Sequence, residues 1–526
     1  MQLLRGYDAD VRKNNGLRRV ASEAAGLAGG YDSAAFDVST QPGPRSMQSI
    51  AHRPPGVRSV HYRIVGSIVA GALFMESLDA TVLATATTAM AADFHVRAPE
   101  MSVALTAYLL ALALFIPASG HAADRWGGKN VFRAAIGLFI GASLCCALAP
   151  TLPVMALARF VQGIGGAMMV PVGRLVLLRT VSKQQLVAAW SWVLMPALIG
   201  QISGPPIGGF IVTYLHWRWI FWLNLPIGVA GIFLVGRFIP DLHDTARRPF
   251  DLAGFLLSGI ALTAVLAGLE SIGHGAPLRV GGISILAAIV FGALYVRYAA
   301  RALHPILDLS LLRIPTFRLS FIGGSLTRIT QGAHPFLLPL MMQLAFGLKA
   351  SQSGLITLGT SLGALTMKGL AVPILRRLGF RVGLTVIGVL SACSYALCGL
   401  FRPGWPFALI FAVLVMSGFL MSFQFTAYNT IAYDEIEPAR MSSANSFYST
   451  FQQLTLTLGI STAAIVLHVS MAFTGGRTPG FSDFSAAFWT VTGISLCSLF
   501  ANVRLDPNAG REMVGRTVRP DETPEV

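Results

Sequence analysis

The chain has 526 residues, of which 54% are hydrophobic and only 12% charged, and its mean hydropathy is +0.64. An average soluble domain carries roughly 25% charged residues and keeps a mixed exterior even when large, so a cytosolic enzyme, a nucleic-acid binder and a secreted disulfide scaffold are excluded and a polytopic membrane protein remains. The net charge of +15 then reads as basic loops held at a negative membrane face rather than as a nucleic-acid footprint.

Residues 1–60 are rich in Gly, Ala, Ser and Arg without sustained periodicity and read as a disordered cytoplasmic tail. No apolar core follows the first basic residues, so this is not a signal peptide. Met47 lies shortly before the first apolar run and is a candidate start of the reading frame. A bilayer core needs about 20 apolar residues per helix. Fourteen such runs follow, at about 64–88, 102–119, 131–149, 153–173, 186–213, 217–236, 252–271, 280–298, 319–344, 352–374, 382–401, 405–429, 447–470 and 484–501. Residues 505–526 are polar and read as a second cytoplasmic tail.

The Lys and Arg residues test this count. With the amino terminus in the cytoplasm, 30 of the 39 fall on the cytoplasmic side and 6 outside, while Arg159, Arg328 and Lys368 lie within spans. Cytoplasmic loops carry such an excess, and removing one middle span would scramble it. Both termini are therefore expected in the cytoplasm. The five cysteines lie in apolar runs and form no CxxC, so neither a metal site nor a disulfide framework is read.

An ionisable residue at a helix centre costs about 2.5–3.5 kcal/mol and faces a cavity or a partner. Glu76 and Asp79, in FMESLDATV, are three residues apart and share one helix face. Proximity and burial both favour their protonated forms, which suits proton binding and release; the alternative for Glu76 is solvation at an interface. Arg159, in LARFVQGIGGA, needs an acceptor, which Asp79 or Glu76 can supply as a tuned proton site or a structural ion pair, the other alternative being a cap on backbone carbonyls. Arg328 and Lys368 are the buried cations of the second half, Lys368 either inward-facing or snorkelling to an interface. Glu270, at the outer end of its span, reads as a solvated edge residue. Phe74, Met75, Trp190, Met195, Phe336, Met342, Phe425 and Tyr428 are candidate pocket residues for apolar or cationic aromatic compounds, or ordinary packing.

In GQISGPPIGG, Gly200, Gly204 and Gly208 recur on one face and let two backbones touch, while Pro205 and Pro206 bend the span. The loop GHAADRWGGKNVF reads as a tight glycine turn carrying Asp124, Arg125 and Lys129.

Together these segments resemble the major facilitator superfamily. GHAADRWGGKNVF is similar to the loop motif GxLADRxGRKxxL at Gly120, Ala123, Asp124, Arg125, Gly127 and Lys129, with Ala122 and Gly128 departing from it. LARFVQGIGGA resembles the fourth-span arginine motif. GQISGPPIGG matches the antiporter motif GxxxGPxxGG at Gly200, Gly204, Pro205, Gly208 and Gly209. WRWIFWLNLPIG and FMESLDATV resemble the fourteen-span drug:proton antiporters (EmrB/QacA-like). GGAMMVPVGR, PFLLPLMMQ and SSANSFYSTFQQL are similar to the MdtD-type multidrug exporters of Gram-negative bacteria.

The resemblance covers about 61–503 and implies an all-α membrane fold. A six-helix bundle would occupy 61–240, an inserted two-helix hairpin 241–300 and a second six-helix bundle 301–504, the halves being repeats about an axis along the membrane normal. RRLGFRVGL, after the tenth span, echoes the loop after the second. The implied activity is proton-coupled export of small amphipathic or toxic compounds across the bacterial inner membrane by alternating access. Asp79, Glu76 and Arg159 would couple protons, and the loop motif with Arg376, Arg377 and Arg381 would gate the cytoplasmic side. Small-molecule substrate, protons and lipid are the expected partners of a monomer, with no nucleic acid, cofactor or metal. The short outer loops give no sign of a periplasmic adaptor. The alternatives are export of an endogenous metabolite, a facilitator without proton coupling, and a non-transporting sensor. The chain lacks GxxxxGK[ST], HExxH and GxSxG, and its loops are too short for a catalytic domain, which argues against an enzyme.

Overall fold

The computed structural model of the protein describes residues 62–181, 186–240, 250–273, 277–303, 305–437, 440–476 and 478–514. The tail expected at 1–60 and the end of the second tail lie outside the described residues. No strand occurs among those described, as a lipid-embedded chain requires: each span must satisfy its own backbone groups.

The first half contains α1 (Tyr62–Val82), the short α2 (Thr87–Asp93), α3 (Ser102–Trp126), α4 (Gly128–Ala147), α5 (Leu152–Thr180), α6 (Leu186–Tyr214), α7 (Trp219–Trp222) and α8 (Asn224–Phe238). The hairpin is α9 (Leu252–Gly273) and α10 (Leu278–Ala299). The second half contains α11 (Pro315–Leu340), α12 (Ala350–Cys398), α13 (Phe407–Ile431), α14 (Met441–Thr474), α15 (Phe481–Leu496) and α16 (Ser498–Val503). Twelve helical stretches are long and apolar enough to cross a bilayer. One of them, α12, is two helices meeting at Gly379 (φ +74°), and α11 has the length to cross as well. The described chain thus has fourteen spanning helices.

Several expected boundaries move for identifiable reasons. The first run, expected through 88, loosens into a 3₁₀ turn at Leu83–Thr85, where Thr81, Thr85 and Thr87 turn their hydroxyls back onto helix carbonyls. The loop expected after the second span shrinks to Gly127 (φ +82°): α3 runs on through Trp126 because nothing before the glycine breaks it. Gly120 is therefore helical, and a β-carbon there would meet nothing within 4 Å. α11 passes into a π-turn at Met341–Ala345 just after Pro335 and Pro339 remove two backbone donors.

Within the first half α1 packs on α6, and α5 on α3 and α4; within the second α12 packs on α13, and α11 on α14 and α15. The halves meet along α6–α12 and α3–α14. α9 lies along α3 and α14, and α10 packs on α9. The side on which α1 begins, rich in Lys and Arg, is called the basic side below and the opposite one the far side. An apolar core joins the halves on the far side, with Val82, Leu83, Ile211, Phe336, Leu337 and Leu340 in contact. Gln343 donates to the Thr85 carbonyl at 3.1 Å and is hydrogen-bonded to Thr88. The Ser351 amide donates to Thr213 Oγ1 at 2.9 Å.

Glu270 departs from its expected role. On α9, its carboxylate accepts from Ser102 Oγ of α3 at 3.1 Å and from Ser461 Oγ of α14 at 2.8 Å. It is a bridge between the hairpin and both halves rather than a solvated edge residue, because α9 covers the seam where the two serines face outward.

Candidate functional site

Asp79 lies six residues before the far end of the first spanning segment, Arg63–Thr85, where its helix faces α5 and α8. Its Oδ2 accepts from Arg159 Nη1 at 2.6 Å, and both side chains are only 1% exposed. Its Oδ1 accepts from Gln162 Nε2 and Asn224 Nδ2, each at 3.0 Å. The amides are oriented in turn: Gln162 Oε1 accepts from Arg159 at 2.6 Å, and Ser143 Oγ accepts from Gln162 at 2.8 Å and from Asn224 at 3.2 Å. Three donors thus converge on one buried carboxyl group, and removing any of them leaves it undersatisfied.

The ring of Tyr108 connects this pair to Glu76. Arg159 stacks over it at 4.4 Å, and the Tyr108 hydroxyl donates to Glu76 Oε1 at 3.4 Å. Glu76 is half-buried where Asp79 is sealed, so the two carboxylates expected on one face occupy different environments. Gly163 and Gly166 make room for Tyr108: a β-carbon on Gly166 would stand 2.8 Å from its hydroxyl oxygen. Sequence reading passed over Asn224 and Ser143 as partners. The available signal was an amide inside an apolar span, which is costly without a partner.

The glycines of GQISGPPIGG serve two contacts. β-Carbons on Gly200 and Gly208 would stand 2.7 Å from the Phe74 carbonyl oxygen and 2.5 Å from that of Val82, and one on Gly204 would stand 2.7 Å from Thr81 Cβ. Gly209, on the same segment, faces the other half, where a β-carbon would come within 2.9 Å of the Ala350 carbonyl carbon. At the loop motif, Lys129 donates to the Gly236 carbonyl at 3.0 Å, within its own half, Arg125 lies 5.7 Å from the Trp126 ring centre, and Asp124 is half-buried. The second-half arginines 376, 377 and 381 flank Gly379, which breaks α12 as Gly127 separates α3 from α4.

Arg328 is buried against rings, 4.7 Å from the Tyr448 centroid and 5.7 Å from that of Phe425, and donates to Asn429 at 3.3 Å. It meets aromatic faces and an amide where Arg159 meets a carboxylate.

A cavity of about 530 Å³ lies between the halves, lined by Thr81, Thr85, Gln201 and Pro205 from the first half and by Gln331, His334, Leu338, Thr357, Lys368 and Phe425 from the second. This volume suits a drug-sized ligand. Lys368, left open between cavity and interface by the sequence, lines the cavity. Of the aromatic and Met pocket candidates, Phe425 alone is among the described lining residues. Met75, Phe336, Met342 and Tyr428 are packed in the helix core, Phe74 packs on Gly200, and Met195 is 62% exposed away from the lining. The Trp190 side chain lies outside the described residues. Bulky side chains fill every face of such helices, and the lining mixes hydroxyl and amide residues with alanine, proline and leucine.

Residues 69–315 and 320–520 match the Major Facilitator Superfamily. The chain is 37% identical over 450 residues to "Probable transport protein HsrA" of Haemophilus influenzae, covering 85% of this chain and 97% of that one. It is 36% identical over 443 residues to "Putative multidrug resistance protein MdtD" of Escherichia coli O6:H1, covering 82% and 92%. Among solved structures, a D-xylose–proton symporter superposes with a TM-score of 0.59 at 14% identity, covering 85% of this chain and 98% of that one. An inward-facing, unoccupied bacterial homologue of the human lysosomal transporter Spinster gives 0.59 at 14%, covering 87% and 99%. These distant structures share the fold.

Proposed function

Because the chain belongs to the Major Facilitator Superfamily, whose members here are transporters rather than enzymes, we propose that it is a proton-coupled exporter of small amphipathic or toxic compounds in the bacterial inner membrane. The basic side is the cytoplasmic side in this reading, and the bulk of the Lys and Arg residues supports it. The described conformation, joined on the far side, is then inward-facing. The relatives named for multidrug resistance support the substrate class.

The observation that carries the reading is the sealed pair Asp79–Arg159 in a chain that also bears the antiporter motif. A proton arriving from outside neutralises Asp79 and releases Arg159 from its ion pair. The neutral carboxyl no longer needs the converging donors of Gln162 and Asn224, so the packing of α1 against α5 and α8 changes with the proton. Glu76, half-buried and linked through Tyr108, exchanges the proton with the cytoplasmic side, and Arg159 restores the anion at Asp79. Rocking of the halves about α6–α12 and α3–α14 then moves the cavity between faces. One charge moving down 100 mV supplies about 2.3 kcal/mol, enough for roughly a fifty-fold substrate gradient. Asp124, Arg125 and Lys129, with Arg376, Arg377 and Arg381, form the cytoplasmic gate.

The test is Asp79→Asn in inverted membrane vesicles. Substrate-dependent proton movement should vanish while the protein stays in the membrane. Undiminished proton-coupled export by that variant refutes the carrier role, and substrate flux without any proton movement in the native chain identifies a facilitator.

A further inference from the structure

Among the described residues lining the central cavity, Lys368 is the one with a full charge, and no carboxylate lines it. The two carboxylates of α1 are engaged elsewhere. Asp79 is paired with Arg159 behind the lining, and Glu76 sits against Tyr108 outside it. Lys368 itself makes no ion pair with a described residue. It stands eighteen residues into α12, about 27 Å along the helix axis from its far-side start, at the end of the cavity opposite Thr81 and Thr85. Lys368 is an exposed residue of this lining, and the space in front of its ammonium is the space a substrate would fill.

The remaining walls describe the rest of the ligand. Leu338 and Phe425 face the cavity with flat or branched apolar surface, whereas Gln331 and His334 are 8% and 3% exposed and each keeps an Nε2 without a hydrogen-bond partner. We infer that the cavity selects amphipathic organic anions, Lys368 pairing with a single carboxylate or sulfonate while the apolar body lies against Phe425 and Leu338. This rests on the reading of the cavity as the substrate site of an exporter, and narrows it. A cationic amphiphile would meet like charge at Lys368, which runs against the cationic aromatic compounds that the sequence also allowed. Exchanging one proton inward for one anion outward moves two charges in the same electrical sense per cycle.

Three probes sharing one fluorophore test this: dansylglycine as the anion, dansylamide as the neutral body and dansylcadaverine as the cation, each titrated onto the purified full chain in detergent. Dansylglycine is expected to bind about tenfold more tightly than dansylamide, and dansylcadaverine more weakly than either. Lys368→Gln should bring dansylglycine down to the dansylamide level without changing dansylamide. Lys368→Arg should keep the preference, and Lys368→Glu should reverse it toward dansylcadaverine, a gain that misfolding cannot mimic. Equal binding of anion and cation by the native chain, preference for the cation, absence of dansylglycine binding, or undiminished dansylglycine binding by Lys368→Gln each overturns the inference. Because binding is measured without a gradient, it is separable from proton coupling: vesicles in which Asp79→Asn still exports with protons overturn the coupling scheme alone, and loss of charge preference with coupling intact overturns the anion assignment alone.

Discussion

Gly354 of α12 lies against Pro205 of α6, so close that a β-carbon on the glycine would stand 2.9 Å from the proline carbonyl carbon. The contact is nearly reciprocal, since Gly209 approaches Ala350 in the same way. Two backbones from opposite halves therefore touch on the far side with no side chain between them, and the GQISGPPIGG segment provides one of the two surfaces.

Gly354→Val should hold the halves apart at this contact. Overpacking a tight core typically costs about 1–3 kcal/mol, and here the cost falls selectively on the far-side-closed state. We expect a fall of at least roughly tenfold in transport and increased labelling of a cysteine placed at Thr88 by an impermeant maleimide from the far side. Unchanged labelling with unchanged transport would remove the contact from the transport cycle.

The Asp79–Arg159 pair gives a stability prediction separate from its proposed role. Breaking a buried pair by removing one partner costs about 3–5 kcal/mol because the other charge is stranded. Arg159→Gln and Asp79→Asn should each lower the unfolding temperature in detergent, and the double variant should lie above the lower of the two. Strict additivity of the two losses would show that they do not act as a pair.

Glu270 should couple Ser102 and Ser461. Hydrogen bonds to a charged acceptor are worth about 1.5–3 kcal/mol each, so Glu270→Ala should lower stability by more than either serine-to-alanine change. A cycle combining Glu270→Ala with Ser461→Ala should be non-additive, measured by denaturant unfolding.

The loop pair outside the membrane sets a pH dependence. Arg218 Nη1 donates to Asp93 at 2.6 Å, and Trp217 Nε1 donates at 3.1 Å. The hydrogen bond from Arg218 holds the Asp93 carboxyl below its ordinary 3.8. A depressed folded value means that the stabilisation is complete above the unfolded value and disappears as pH falls through the folded one. Both side chains are near a third exposed, so the pair is worth no more than about 1 kcal/mol. Arg218→Ala should lower the melting temperature slightly at pH 7, and the gap should close in the acid range below the carboxylate's ordinary value. A gap that widens on acidification would contradict the assignment.

Much of the fold was legible because a bilayer leaves little choice. Long apolar runs must be helices, and the Lys and Arg bias orders them, so the fourteen spans needed no tertiary information. The Asp79–Arg159 contact was also legible, since each charge needed a partner and few were on offer. The echo between DRWGGK and RRLGFR carried further than its short length suggested, because it places Gly127 and Gly379 at equivalent breaks. What escaped was everything decided by rotation about a helix axis. Asn224 and Ser143 look like ordinary polar residues until α4 and α8 turn them toward Asp79. Glu270 looks solvated until α9 is laid over the seam, and the bulky pocket candidates are spread around their helices with no periodic mark for the side that faces the cavity.

The α9–α10 hairpin has a consequence for topogenesis. Because it crosses twice, it returns the chain to the side from which it left, and α11 begins in the sense it would have if α8 led directly into it. A single helix in its place would invert every later segment, carrying the arginines around Gly379 to the opposite face of the membrane. A two-helix hairpin at this position therefore leaves the parity of the segments on either side of it unchanged, and a lone crossing would not.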